Sequence, residues 1–155
     1  MLAQEAVDHS ATVARHLPYL RRYARALTGN QTSGDRYAVA VLETIITDPA
    51  MLSAHSHPKV ALFAVFHSIW STSGAPVAEA DDVVSGAAQA HMAGLTLNSR
   101  EALLLNTVEG FDQAEVAAIM GVDIEEAQHL IDIAVQEMER SVRGSVLVIE
   151  DEAII

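Results

Sequence analysis

The feature that most narrows what this chain can fold into is a run of helix punctuation in its second half. Asn98 is followed three residues later by Glu101, Asp112 by Glu115, and Asp123 by Glu126, each ahead of an apolar-periodic stretch. An Asx side chain accepting from the third amide, answered by a glutamate reaching back, marks a helix start. Three successive starts are predicted. Between the last two, Ile119-Met120-Gly121-Val122 places a glycine where a short helix must end and turn sharply, the pattern of a helix-turn-helix.

The first half reads as helical too. Val13, Leu17, Leu20, Ala24 and Leu27 recur at three- and four-residue spacing, predicting a helix from about Ser10 to Leu27, with Pro18 as a kink or new start and Gly29-Asn30 as the stop. A second helix is expected from Ser33 or Asp35 to a break at Asp48-Pro49, and a third from His57 to Ser71 with Pro58 in its first turn. The composition is half apolar with only three Phe, three Tyr and one Trp, which favours helix packing over a sandwich or barrel. The expected fold is all-α, in two small helical lobes at 1–70 and 95–143. Between them 71–94, rich in Ser, Gly, Pro and acids, reads as a linker.

Charge is distributed unevenly. The formal net charge is −12, yet residues 1–65 carry six basic residues against five acids, whereas residues 95–143 carry three against ten. No cysteine is present, which excludes disulfides, thiolate metal sites and cysteine nucleophiles. The longest apolar stretch, Val60 to Trp70, is too short to span a bilayer and no signal-peptide pattern opens the chain. A cytoplasmic protein without membrane contact is expected.

Several segments together resemble a known group. Leu97-Asn-Ser-Arg-Glu-Ala-Leu-Leu-Leu, Val108-Glu-Gly-Phe-Asp and Glu115-Val-Ala-Ala-Ile-Met-Gly-Val are similar to region 4 of extracytoplasmic-function sigma factors. Leu17-Pro-Tyr-Leu-Arg-Arg-Tyr-Ala-Arg-Ala-Leu-Thr-Gly, with Ser33-Gly-Asp and Leu42-Glu-Thr, is similar to region 2. Two departures point to the PhyR family of alphaproteobacterial stress response regulators, in which a sigma-like domain precedes a receiver. One is Val146-Leu-Val-Ile-Glu-Asp-Glu, which resembles a receiver's opening strand. There Glu150 and Asp151 would hold Mg²⁺ once the domain is complete, and 144–155 would be the start of that receiver. The resemblance implies that the phosphorylated regulator sequesters NepR, a small basic anti-sigma factor, and so frees the true sigma factor.

The other departure is the recognition helix. DNA readers of this class need cations to neutralise phosphates. From Ile124 to Glu139 there is no Lys or Arg, while Glu125, Glu126, Asp132, Glu137 and Glu139 are acidic. By the resemblance, Gln128, Leu130, Ile133 and Val135 stand where sigma factors tend to place Lys or Arg. Ala127, Ile131, Ala134 and Met138 form the expected buried stripe, with Leu130 beside it and Ile133 well outside. A partner-binding face is therefore expected from Glu125, Glu126, Gln128, His129, Leu130, Asp132 and Ile133, with Leu130 and Ile133 as apolar anchors and no DNA bound. A plainer reading is a solvated acidic face. The rival function is a working sigma factor that binds promoter and RNA polymerase, and a self-dimerising output domain is a weaker alternative.

Other constellations carry less. His55 and His57 alternate as metal ligands can, but no third ligand is near in sequence. Phe63, Phe66 and Trp70 could stack on an unpaired base, though one-turn spacing favours a core. Arg15, Arg21, Arg22 and Arg25 are the one basic cluster and could pair with the acidic half. No nucleophile, base and acid come together in sequence and no phosphate loop exists, so no enzyme is expected.

Overall fold

The computed structural model describes residues 2–73 and 97–154, and all regular structure in them is helical. The first lobe holds α1 (Leu2–Thr28), α2 (Gln31–Thr47), a 3₁₀ turn (Pro49–Ser53) and α3 (Pro58–Thr72). The second holds α4 (Leu97–Thr107), α5 (Gln113–Met120) and α6 (Ile124–Ile154). Most of the expected linker lies outside the described residues.

α1 is continuous through Pro18, neither ending nor restarting there. The ring removes one amide donor, and the burial of Leu20, Tyr23, Ala24 and Leu27 on the following turns holds the helix together. The chain reverses at Gly29, whose φ of 80° lies in the left-handed region and whose amide donates to the Arg25 carbonyl at 2.9 Å. α2 then starts earlier than expected. Asn30, not Ser33 or Asp35, is the cap, its side chain accepting from the Ser33 amide at 3.0 Å.

That earlier start aligns Gly34 with the crossing of α1 and α2. A Cβ there would stand 2.8 Å from the Arg25 amide nitrogen and 2.9 Å from its Cα, and neither backbone atom can swing aside. Gly34→Ala is expected to force the helices apart and cost roughly 1–3 kcal/mol, measurable by urea denaturation.

Of the three expected capping boxes, one is complete and a second is half formed at the second lobe's helix starts. At α5 the box is complete, with the Glu115 amide donating to Asp112 at 2.8 Å and the Asp112 amide to Glu115 at 3.0 Å. At α6 the Glu126 amide donates to Asp123 at 2.7 Å. Gly121, at φ 69°, closes α5 and turns the chain into α6, as a helix-turn-helix requires. The third expectation is corrected: Asn98 lies inside α4, and Glu101, instead of reaching back to a cap, is buried.

The C-terminal segment is helical in this chain. Residues 146–151 continue α6 and form no receiver strand. A lone strand leaves its backbone donors and acceptors unpaired, whereas a helix satisfies them within itself.

The lobes do not keep separate cores. Leu20, Tyr23, Phe63 and Phe66 of the first belong to one apolar cluster with Leu105, Phe111, Val116 and Ile131 of the second. Phe63 links them directly, its ring 5.2 Å from Tyr23 and 5.1 Å edge-on from Phe111. Phe63, Phe66 and Trp70 are wholly buried, so these aromatics form core and not a base-stacking platform.

Candidate functional site

α6 presents the expected acidic face. Glu125, Glu126, His129 and Asp132 are exposed, and Gln128, half-buried, donates to Asp132 at 2.7 Å. Ile133 is half-buried. Leu130, however, is only 8 % exposed and packs into the core with Ala127, Ile131 and Ala134, so it is no free anchor. The expected stripe was drawn too narrow: an amphipathic helix buries an arc of 100° or so, and Leu130 falls within it.

Exposed apolar surface lies elsewhere on the helix. Ile124, Val135 and Val142 are 52 %, 39 % and 46 % exposed. Their spacings of eleven and seven residues, about three turns and two, return them to nearly one side of α6. Glu125, Asp132 and Glu139 repeat every seven residues alongside them. The result is an apolar strip edged by an acidic row, suited to a basic amphipathic segment. Of the strip, sequence reasoning singled out only Val135, by its likeness to a charged sigma position. Periodicity from Ile124 onward would have revealed the rest.

The basic cluster divides its work. Arg21 stays within the first lobe, pairing with Asp35 at 3.2 Å. Arg22 crosses to the second, one guanidinium nitrogen lying 2.9 and 3.0 Å from the two carboxylate oxygens of Glu109, whose side chain is wholly buried. A second link joins His67 to Glu101, with Nδ1 and a carboxylate oxygen 2.6 Å apart. The buried Tyr23 hydroxyl is raised well above its ordinary pKa, first by burial and then by the charges of Glu101 and Glu109. Lys59 adds a cation over three rings, 4.9 Å from the centre of Tyr19, 5.9 Å from Phe63 and 5.0 Å from Phe111. Sequence reasoning placed Glu101 in a cap and gave Glu109 no role, because their partners lie 34 and 87 residues away.

His57 caps α3 from an exposed position, and His55 is half-buried in the preceding loop. Among the described residues no three His, Cys, Asp or Glu side chains gather as a metal site. The side chains of Glu150 and Asp151 lie outside the described residues. No helix among the described residues is long and apolar enough to cross a membrane.

Comparison with known proteins gives this geometry its context. A family model described as the sigma2 domain of PhyR matches residues 13–67, and one described as the sigma-like domain of the response regulator PhyR matches residues 92–141. The PhyR sigma-like domain of Sphingomonas sp. Fr1, solved in complex with NepR, is 38 % identical, with a TM-score of 0.73 over 84 % of this chain and 86 % of that one. The chain belongs to the PhyR family.

Among curated PhyR proteins, the phyllosphere-induced regulator PhyR of Methylorubrum extorquens is 39 % identical over 92 % of this chain. The chain spans about half of that relative's length, 54 %. Bartonella quintana PhyR in complex with NepR is 31 % identical, with a TM-score of 0.72 over 86 % of this chain and 50 % of that one. The same protein without NepR is 34 % identical over 83 % and 46 % of the two chains and superposes less closely, with a TM-score of 0.63.

Proposed function

We propose that this chain is the anti-sigma-binding part of a PhyR-type response regulator, an anti-anti-sigma factor that captures NepR by imitating the sigma factor NepR would otherwise hold. The observation that carries this reading is the recognition helix: a helix-turn-helix whose exposed face is an acidic row beside an apolar strip, with no Lys or Arg from Ile124 to Glu139. Such a face repels phosphates and attracts a partner with basic and apolar residues. The expected contact residues are Glu125, Glu126, Gln128, His129, Asp132 and Ile133, joined by Ile124, Val135 and Val142, while Leu130 acts from beneath as support. Membership in a regulator family accords with a binding module in place of an enzyme, and with action in the cytoplasm.

In the longer protein we expect residues 146–151 to leave α6 and enter the receiver's sheet, where neighbouring strands satisfy their backbone. Glu150 and Asp151 would hold Mg²⁺ only there. Phosphorylation would then shift the equilibrium toward the state with α6 uncovered.

The test is calorimetric titration of the chain with NepR. We expect Asp132→Lys combined with Val135→Arg to weaken binding by roughly 1–3 kcal/mol at nearly unchanged thermal stability, since both side chains are exposed. Unchanged affinity would remove α6 from the interface. In parallel, a −35 promoter duplex titrated at low and moderate salt should show negligible binding at both. Tight, salt-dependent binding would establish the sigma-factor reading instead.

A further inference from the structure

The lobes are joined through two carboxylates buried at their junction. Glu101 and Glu109 come from the second lobe, and their partners His67 and Arg22 from the first. Gly110, at φ 72°, separates Glu109 from Phe111, and both flanking side chains are buried. The Phe111 ring meets Phe63 and Lys59 of the first lobe.

An apolar junction alone tolerates sliding, because burial has no direction. Buried carboxylates do not. Each is costly away from water unless its partner sits at hydrogen-bond distance, so a pair of such contacts selects one placement of the lobes while adding little net stability. The chain as a whole superposes more closely on Bartonella PhyR in its NepR complex than on the same protein without NepR, with TM-scores of 0.72 and 0.63.

We propose that Glu101 and Glu109 are positioning residues for partner binding, a hydrogen bond to His67 and an ion pair to Arg22 that fix the second lobe against the first in the arrangement the partner takes up. The partner half of this proposal rests on the functional reading above. The positional half stands on the junction alone. With the contacts removed, the lobes would sample several placements, and apparent affinity would fall by the fraction that remains competent.

The experiment exploits the absence of cysteine. Thr47→Cys and Gln136→Cys, both at exposed positions and one in each lobe, carry spin labels for pulsed distance measurement on the whole chain. The parent should give one narrow distance. Glu101→Gln with Glu109→Gln should broaden it or add a second and raise the NepR dissociation constant about tenfold, with far-UV circular dichroism unchanged. Should that pair fail to fold, Arg22→Gln removes one contact from its half-exposed end and should broaden the distance by itself, while Arg22→Lys, which keeps the charge, should preserve it. A narrow, unshifted distance in the folded variants overturns the proposal, as does a shifted distance with unchanged affinity. A parent chain that does not bind NepR overturns the functional reading and the partner half, while the distances still decide whether the contacts fix the lobes.

Discussion

Phe63→Ala is expected to destabilise both lobes at once, by roughly 3–5 kcal/mol. The ring is wholly buried and touches Tyr23 in its own lobe and Phe111 in the other, so its removal opens a cavity within the core that the two halves share. For a chain of 155 residues this should lower the melting temperature by about 10 °C or more. The shared core also predicts how melting proceeds. Trp70, the only tryptophan, reports on the first lobe by fluorescence, and far-UV circular dichroism reports on all helices. Their transitions should coincide in the parent and in the variant. Two separate transitions would mean that the lobes fold independently and the junction is a weak contact.

Leu130→Asp is expected to be as damaging, and for a reason that only burial reveals. On the acidic helix Leu130 is flanked by the exposed His129 and Asp132, and sequence position alone makes it an anchor for a partner. Its side chain instead packs with Ala127 and Ile131 against the lobe's core. An aspartate there loses the apolar burial and adds a carboxylate with no cation among the surrounding Ala127, Ile131 and Ala134. The expected cost is about 3–5 kcal/mol, measured by denaturant unfolding before any binding assay is read. A variant as stable as the parent would place Leu130 on the surface and restore it as a contact residue. Asp132→Lys and Val135→Arg avoid this confusion, because neither position supports the core.

The same contrast runs through the molecule. Helix starts at Asp112 and Asp123, the stop at Gly29, the sharp turn at Gly121 and the placement of Pro58 were legible because each depends on residues within one turn of the signal. A capping side chain or a left-handed glycine acts locally, and local chemistry is written in adjacent letters. The acidic character of α6 was legible for a similar reason, since the net charge of a helix face does not depend on what it packs against.

Where the outcome depended on a distant partner, the letters were ambiguous. Ser33 and Asp35 looked like caps as good as Asn30, and the choice fell to the register that brings Gly34 against the backbone of Arg25. Glu101 read as half of a capping box but became a buried contact to His67, and Glu109 found Arg22 across the junction. Residues 146–151 carry the letters of a strand, yet a strand exists only beside another strand, and within this chain the segment takes the structure that satisfies its own backbone. Apart from residues 146–151, the sequence by itself determined which segments are helices, where most of them turn and that the recognition helix repels polyanions. Only the tertiary structure decided which side chains are free to meet a partner and which acids hold the lobes together, because burial and ion pairing are set by residues far apart in the chain.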